Sequence, residues 1–143
     1  MNLFSLEGRT ALVTGAGQGI GFSIAGALAR AGARVFLNGR RAGVLDEAAG
    51  RLREAGLEAD VAPFDVTDPD SVAKGVAAIE AASPLDILVN NAGIQRRAPL
   101  DQFDDDDWRE LMATNLDSVY FVAKAVGRAM IGRGRGKIIN IAR

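Results

Sequence analysis

Short runs of β-branched and aliphatic residues alternate along this chain with longer stretches in which apolar positions recur every three or four residues. The runs predict buried strands and the longer stretches predict helices that each bury one face. Strands are expected from Thr10 to Gly15 ("TALVTG"), Ala33 to Gly39 ("ARVFLNG"), Glu58 to Val66 ("EADVAPFDV") and Leu85 to Asn90 ("LDILVN"). The final "KIINIAR" reads as a fifth, buried strand, with Ile138, Ile139 and Ile141 as its apolar positions. A helix follows the first strand from Gly19, with Ile20, Ile24, Ala27 and Leu28 on its inner face and Gly32 as its stop. A second spans Ala42 to Ala55 and ends at Gly56. Asp68 and Pro69 open a third, which runs to Ala82; proline suits the first turn, where its missing N–H leaves nothing unpaired. One long helix is expected from Asp105 to Ile131, with Trp108, Leu111, Met112, Val119, Val122, Ala123 and Val126 as its apolar stripe.

Strand and helix thus alternate four times before a last strand. Right-handed crossovers place such units on both faces of one sheet. The expected architecture is an α/β, Rossmann-like doubly wound parallel sheet in three αβα layers. Its five strands should lie in the order 3-2-1-4-5, as one domain over residues 1–143. No Pro- or Ser-rich linker, repeat or low-complexity tract divides the chain.

Composition narrows the chemistry. The 143 residues are 48% hydrophobic and 24% charged, with 17 glycines and 4 prolines, as in a globular domain. A net charge of −1 provides no long-range attraction to nucleic acid or an anionic membrane. Without cysteine there is neither a disulfide framework nor a thiolate metal site, and without histidine no Ser-His-Asp mechanism. The N-terminal "MNLFSLEGRT" does not read as a signal peptide and no run is long enough to span a bilayer, so a cytoplasmic protein is expected.

The first strand leads into "TGAGQGIG", Thr14 to Gly21. Glycines here allow a tight turn and let backbone N–H groups approach a phosphate, at a helix N-terminus whose donors are unpaired. The spacing is G-x-x-x-G-x-G on Gly15, Gly19 and Gly21, neither G-x-G-x-x-G nor a P-loop. At the end of the second strand, where a dinucleotide site holds the adenosine ribose, "LNGRR" has no carboxylate. Arg40 could clamp a 2′-phosphate there, which favours NADP(H) over NAD(H).

Together with "NNAG" (Asn90 to Gly93), "DVTD" (Asp65 to Asp68) and "TNLDSVYF" (Thr114 to Phe121), this turn resembles the short-chain dehydrogenase/reductase family, in order and spacing over essentially the whole chain. "NNAGIQRRAPL" is similar to the gluconate 5-dehydrogenase branch, or to a related sugar-acid or 3-oxoacyl reductase. The resemblance implies that Gly15, Gly17, Gln18, Gly19, Ile20 and Gly21 surround the pyrophosphate. It implies that Asp65 accepts from the adenine amino group, with Val66 beside it. Asn91, Ala92 and Gly93 would pass beneath a ribose, and Asn90 would tie neighbouring strands together. Asn115, a polar residue four positions from both Leu111 and Val119, would hold a water and relay protons toward a catalytic lysine.

The family's catalytic serine, tyrosine and lysine have no counterparts at their expected places. Where members continue "IINIAS", this chain has Arg143; Tyr120 and Lys124 precede the serine position, and Tyr120 is read as a packing residue with Lys124 one turn away on the same helix face. The sequence therefore reads as truncated before the Tyr-x-x-x-Lys motif. Arg96, just after NNAG, is a candidate for a substrate carboxylate. The carboxylates from Asp101 to Asp107 are read as helix capping and not as a metal site. The expectation is an NAD(P)-dependent oxidoreductase acting on a ketone or secondary alcohol of a small molecule, homo-oligomeric at full length, with this chain alone inactive. The alternatives are a non-catalytic dinucleotide-binding module and a domain whose last strand pairs with another chain.

Overall fold

A computed structural model describes residues 2–142. Its sheet comprises β1 (Thr10–Val13), β2 (Arg34–Gly39), β3 (Ala59–Pro63), β4 (Ile87–Asn90) and β5 (Lys137–Asn140). All pairings are parallel and the order is β3-β2-β1-β4-β5, as the alternating pattern requires. The helices are α1 (Gly19–Arg30), α2 (Ala42–Glu54), α3 (Pro69–Ala82), α4 (Asp105–Met112) and α5 (Ser118–Arg133).

Alternate residues of each strand face opposite layers. Ala11, Val13, Val35, Leu37 and Val89 pack with Ala25 and Ala29 of α1 and Leu45, Ala49 and Leu52 of α2. Leu12, Phe36 and Leu88 pack on the other side with Val72, Val76 and Ile79 of α3 and Val122, Val126 and Met130 of α5. β1 and β4 are buried at every position.

Some helix boundaries follow directly from side-chain chemistry. Asp68 caps α3 by accepting from the Asp70 N–H, and Pro69 occupies the first turn. Asp104 accepts from the N–H groups of Asp106 (2.8 Å) and Asp107 (3.2 Å), so the acidic run begins α4 as a cap. Among the described residues no cluster of His, Cys, Asp or Glu is arranged to hold a metal.

Other expectations need correction. The long helix is continuous from Asp105 to Arg133 but not regular: a π-helical turn, Ala113–Asp117, lies between α4 and α5. The hydroxyl of Ser118, the first residue of α5, donates back to the Thr114 carbonyl at 2.6 Å, a bond that competes with the regular ladder. Trp108 is 56% exposed, and of the expected apolar stripe only Val122 and Val126 are fully buried. In α1 the buried face is the small one, Gly21, Ala25, Gly26 and Ala29, because a helix can lie close to the sheet only along small residues; Ile20 and Ala27 face outward. The third strand stops at Pro63, short of Val66. β5 is exposed along its length, with Ile138 at 41% and Ile139 at 47%, because it is the outermost strand among the described residues and none of their helices covers it. Arg143 lies outside the described residues.

Candidate functional site

A cleft of about 520 Å³ lies at the carboxyl ends of β1 through β4, the end at which open α/β sheets bind ligands. Three segments converge on it.

The first is the glycine-rich turn. Gln18 stands at the N-cap of α1 but makes no capping bond, so the helix's first N–H groups remain available to a ligand. Gly19 has φ +61° and open space around it. Gly21 is a contact glycine: a Cβ there would lie 2.3 Å from the Gly15 carbonyl oxygen and 2.5 Å from Asn91 Nδ2. Unpaired donors at the positive end of a helix make an anion site.

The second is the loop after β4. The Thr14 hydroxyl accepts from the N–H groups of both Asn91 and Ala92 at 2.9 Å. Asn91 Nδ2 donates in return to the carbonyls of Thr14 and Gly15 at 3.2 Å. The NNAG loop is thereby fixed to the back of the glycine-rich turn. Asn90 points the other way, donating to Asn140 Oδ1 at 3.0 Å, and so links β4 to β5.

The third is the end of β3. Asp65 Oδ1 accepts from the Thr67 hydroxyl (2.7 Å) and the Thr67 N–H (2.9 Å). These bonds, with Arg40 nearby, hold the carboxyl below its ordinary value against the opposing effect of burial. Both fall on Oδ1, which leaves Oδ2 for a ligand donor.

Gly15, Gly17, Gln18, Gly19, Ile20, Gly21, Arg40, Asp65, Val66, Asn91, Ala92 and Gly93 all line this one cleft. Ile20 is 59% exposed there, with its side chain at the surface. The donor set suits a dinucleotide: open helix N–H groups lie at one end, and a guanidinium and a carboxylate lie at the other.

Asn115 does not line the cleft; it braces the wall. Its Oδ1 accepts from the Ile94 N–H at 2.8 Å and its Nδ2 donates to the Ile94 carbonyl at 2.9 Å, joining the π-helical turn to the end of the NNAG loop. Arg96 also lies outside the cleft. It pairs with Glu110 (3.1 Å) and Asp107 (3.7 Å) beside a second, apolar cavity of about 600 Å³ that includes Leu100, Phe103 and Trp108. Tyr120 is 60% exposed, which corrects its reading as a packing residue; Lys124 does share its helix face, with Nζ 5.6 Å from the ring centroid, and neither lines the cleft.

Sequence reasoning assigned no role to Thr14, Asn38, Thr67 or Thr114, each of which lines or braces the cleft. The Asp-x-Thr spacing of Asp65 and Thr67 is a readable side-chain turn signal. Thr14 and Asn38 look like ordinary strand-end residues until their partners are known.

Residues 9–142 match the family model for short chain dehydrogenases. Gluconate 5-dehydrogenase of Gluconobacter oxydans is 60% identical over 141 residues, covering 98% of this chain and 55% of that protein. 5-keto-D-gluconate 5-reductase of Escherichia coli is 43% identical over 141 residues, with 98% and 56% covered. A crystal structure of a gluconate 5-dehydrogenase from Burkholderia cenocepacia, in complex with NADP and tartrate, superposes with a TM-score of 0.92 at 51% identity, over 98% of this chain and 58% of that one. This chain therefore spans little more than half the length of these relatives. With the match running from the start of β1 to the end of β5, this chain belongs to the short chain dehydrogenase family.

Proposed function

We propose that this chain is the cofactor-binding part of an NADP(H)-dependent oxidoreductase that interconverts a ketone and a secondary alcohol on a sugar acid. The observation that carries the reading is the convergence of the glycine-rich turn, Arg40, Asp65 and the NNAG loop on one cleft. The relatives named for gluconate and 5-keto-D-gluconate, and the one in complex with NADP and tartrate, support the cofactor and the substrate class.

In this reading the open N–H groups around Gly17 to Ile20 hold the pyrophosphate, and Gly15 and Gly21 let the turn close beneath it. Arg40 takes the 2′-phosphate through its planar fork. Asp65 accepts from the adenine amino group beside Val66, and Asn91 to Gly93 form the floor under the ribose. The dinucleotide, when bound, supplies or accepts the hydride. Asn115 holds the loop end through both atoms of its amide, a bracing role in place of the proton relay that the resemblance implied. A substrate carboxylate would have to compete with Asp107 and Glu110 for Arg96.

Carbonyl reduction also needs a proton donor against the substrate oxygen. The one tyrosine, Tyr120, is outside the cleft. The chain by itself is therefore expected to bind NADPH without oxidising it. Titration by nicotinamide fluorescence tests this: NADPH should bind more tightly than NADH, and Arg40→Ala should remove the difference. Equal affinities in the unsubstituted chain would overturn the NADP preference. Oxidation of NADPH with 5-keto-D-gluconate by the purified, mass-verified chain would overturn the claim of binding without turnover.

A further inference from the structure

Asn38 is 1% exposed at the carboxyl end of β2, directly after the buried apolar run Val35, Phe36 and Leu37. Its Nδ2 donates to the carbonyls of Ala62 and Phe64, each at 3.0 Å, and its Oδ1 faces the Gly15 N–H at 3.4 Å. Two carbonyl partners on one side and an N–H on the other fix the orientation of the amide. The backbone carbonyl of Asn38 accepts from the Ala16 N–H at 2.8 Å. One buried residue therefore joins the glycine-rich turn to the strand end that delivers Asp65, and it directly precedes Gly39 and Arg40.

We infer that Asn38 is a positioning residue that sets the span between the phosphate-binding turn and the adenosine end of the cleft. It acts on ligands that bridge both ends more than on ligands that fill one. This rests on the dinucleotide reading above. Aspartate cannot replace it, since a carboxylate has no N–H for the two carbonyls; leucine would remove all three side-chain bonds and keep only the backbone bond to Ala16.

Calorimetry on the 143-residue chain and on Asn38→Ala provides the test, using NADPH as the bridging ligand and adenosine 2′-monophosphate and inorganic pyrophosphate as single-end ligands. The variant should lose about tenfold in affinity for NADPH and less than about twofold for each single-end ligand. An equal loss on all three, or no loss on NADPH, overturns the positioning role. If the unsubstituted chain binds no NADPH, the dinucleotide reading falls and the inference falls with it. Should the variant fail to fold, NMR of the Asn38 side-chain amide in the unsubstituted chain decides. Pyrophosphate and adenosine 2′-monophosphate must each shift that signal, and a response to one alone or to neither overturns the inference.

Discussion

Thr67 holds Asp65 as a carboxylate, and the consequence is a pH dependence with a definite sign. The folded-state pKa lies below the ordinary 3.8. The stabilisation is therefore fully present above that value and is lost as the pH falls through the lower folded-state pKa. Thr67→Val removes the larger of the two hydrogen-bond contributions and should move the Asp65 midpoint upward, as read by carboxyl NMR. An unmoved midpoint would assign the shift to the Thr67 N–H, which the variant retains, ahead of the smaller contribution of Arg40. Gly19 and Gly21 separate in the same way, by mechanism. Gly21→Ala drives a methyl group to 2.3 Å from the Gly15 carbonyl oxygen, into backbone that cannot yield. It should cost about 1–3 kcal/mol of stability and abolish NADPH binding. Gly19→Ala meets open space and only the left-handed backbone strain, about 1–2 kcal/mol. Urea unfolding and NADPH titration on both variants check the pair. The G-x-x-x-G-x-G spacing announces a close approach but not which glycine makes it. That depends on how the turn folds back, which sets the Gly15 carbonyl against Gly21, and on Asn91, seventy residues downstream of the last of them.

At the scale of elements, α4, the π-helical turn and α5 show what periodicity can and cannot reveal. The helical spacing runs from Leu111 through position 115 to Val119, so periodicity alone does not announce the π-helical turn. The readable sign was a single amide, Asn115, in the middle of the stripe. Its partners, the N–H and carbonyl of Ile94, lie on another loop and are invisible to a helical reading. Asn115→Ala leaves both without that bond and should cost about 1–3 kcal/mol. Hydrogen exchange at the Ile94 amide should accelerate more than at amides of α5. If exchange rises uniformly, Asn115 is not bracing the loop. By contrast, the acidic start of α4 is wholly legible, because a cap is a local interaction. Asp104→Ala should cost about 1 kcal/mol by thermal unfolding, whereas Asp105→Ala, which caps nothing, should cost less.

For the whole molecule, the sequence conveys strand order and strand type better than depth. The isoleucines of β5 look as buried as the leucines and valines of β4, since both runs are short, aliphatic and flanked by turn residues. What separates them is position across the sheet: Leu88 is 0% exposed between β1 and β5, while Ile139 is 47% exposed on the outermost described strand. Stability should fall off from centre to edge. Leu88→Ala removes a side chain packed against Val126 and its neighbours and should cost about 2–5 kcal/mol. Ile139→Ala forfeits roughly half of a full burial, about 1 kcal/mol. Native-state hydrogen exchange should give the same gradient, with Leu12 and Val13 opening only in global unfolding and β5 amides exchanging through local separation from β4. Equal costs for the two truncations would mean that β5 is covered in solution by something outside the described residues. The gradient also bears on the cleft, because its walls hang from the strands that bury every residue, β1 and β4, and from Asn38 and Asp65 on the β2 and β3 side. Loosening β5 should therefore leave NADPH affinity nearly unchanged. If Ile139→Ala lowers that affinity as much as Gly21→Ala does, the cleft depends on the sheet edge and the separation of centre from edge fails.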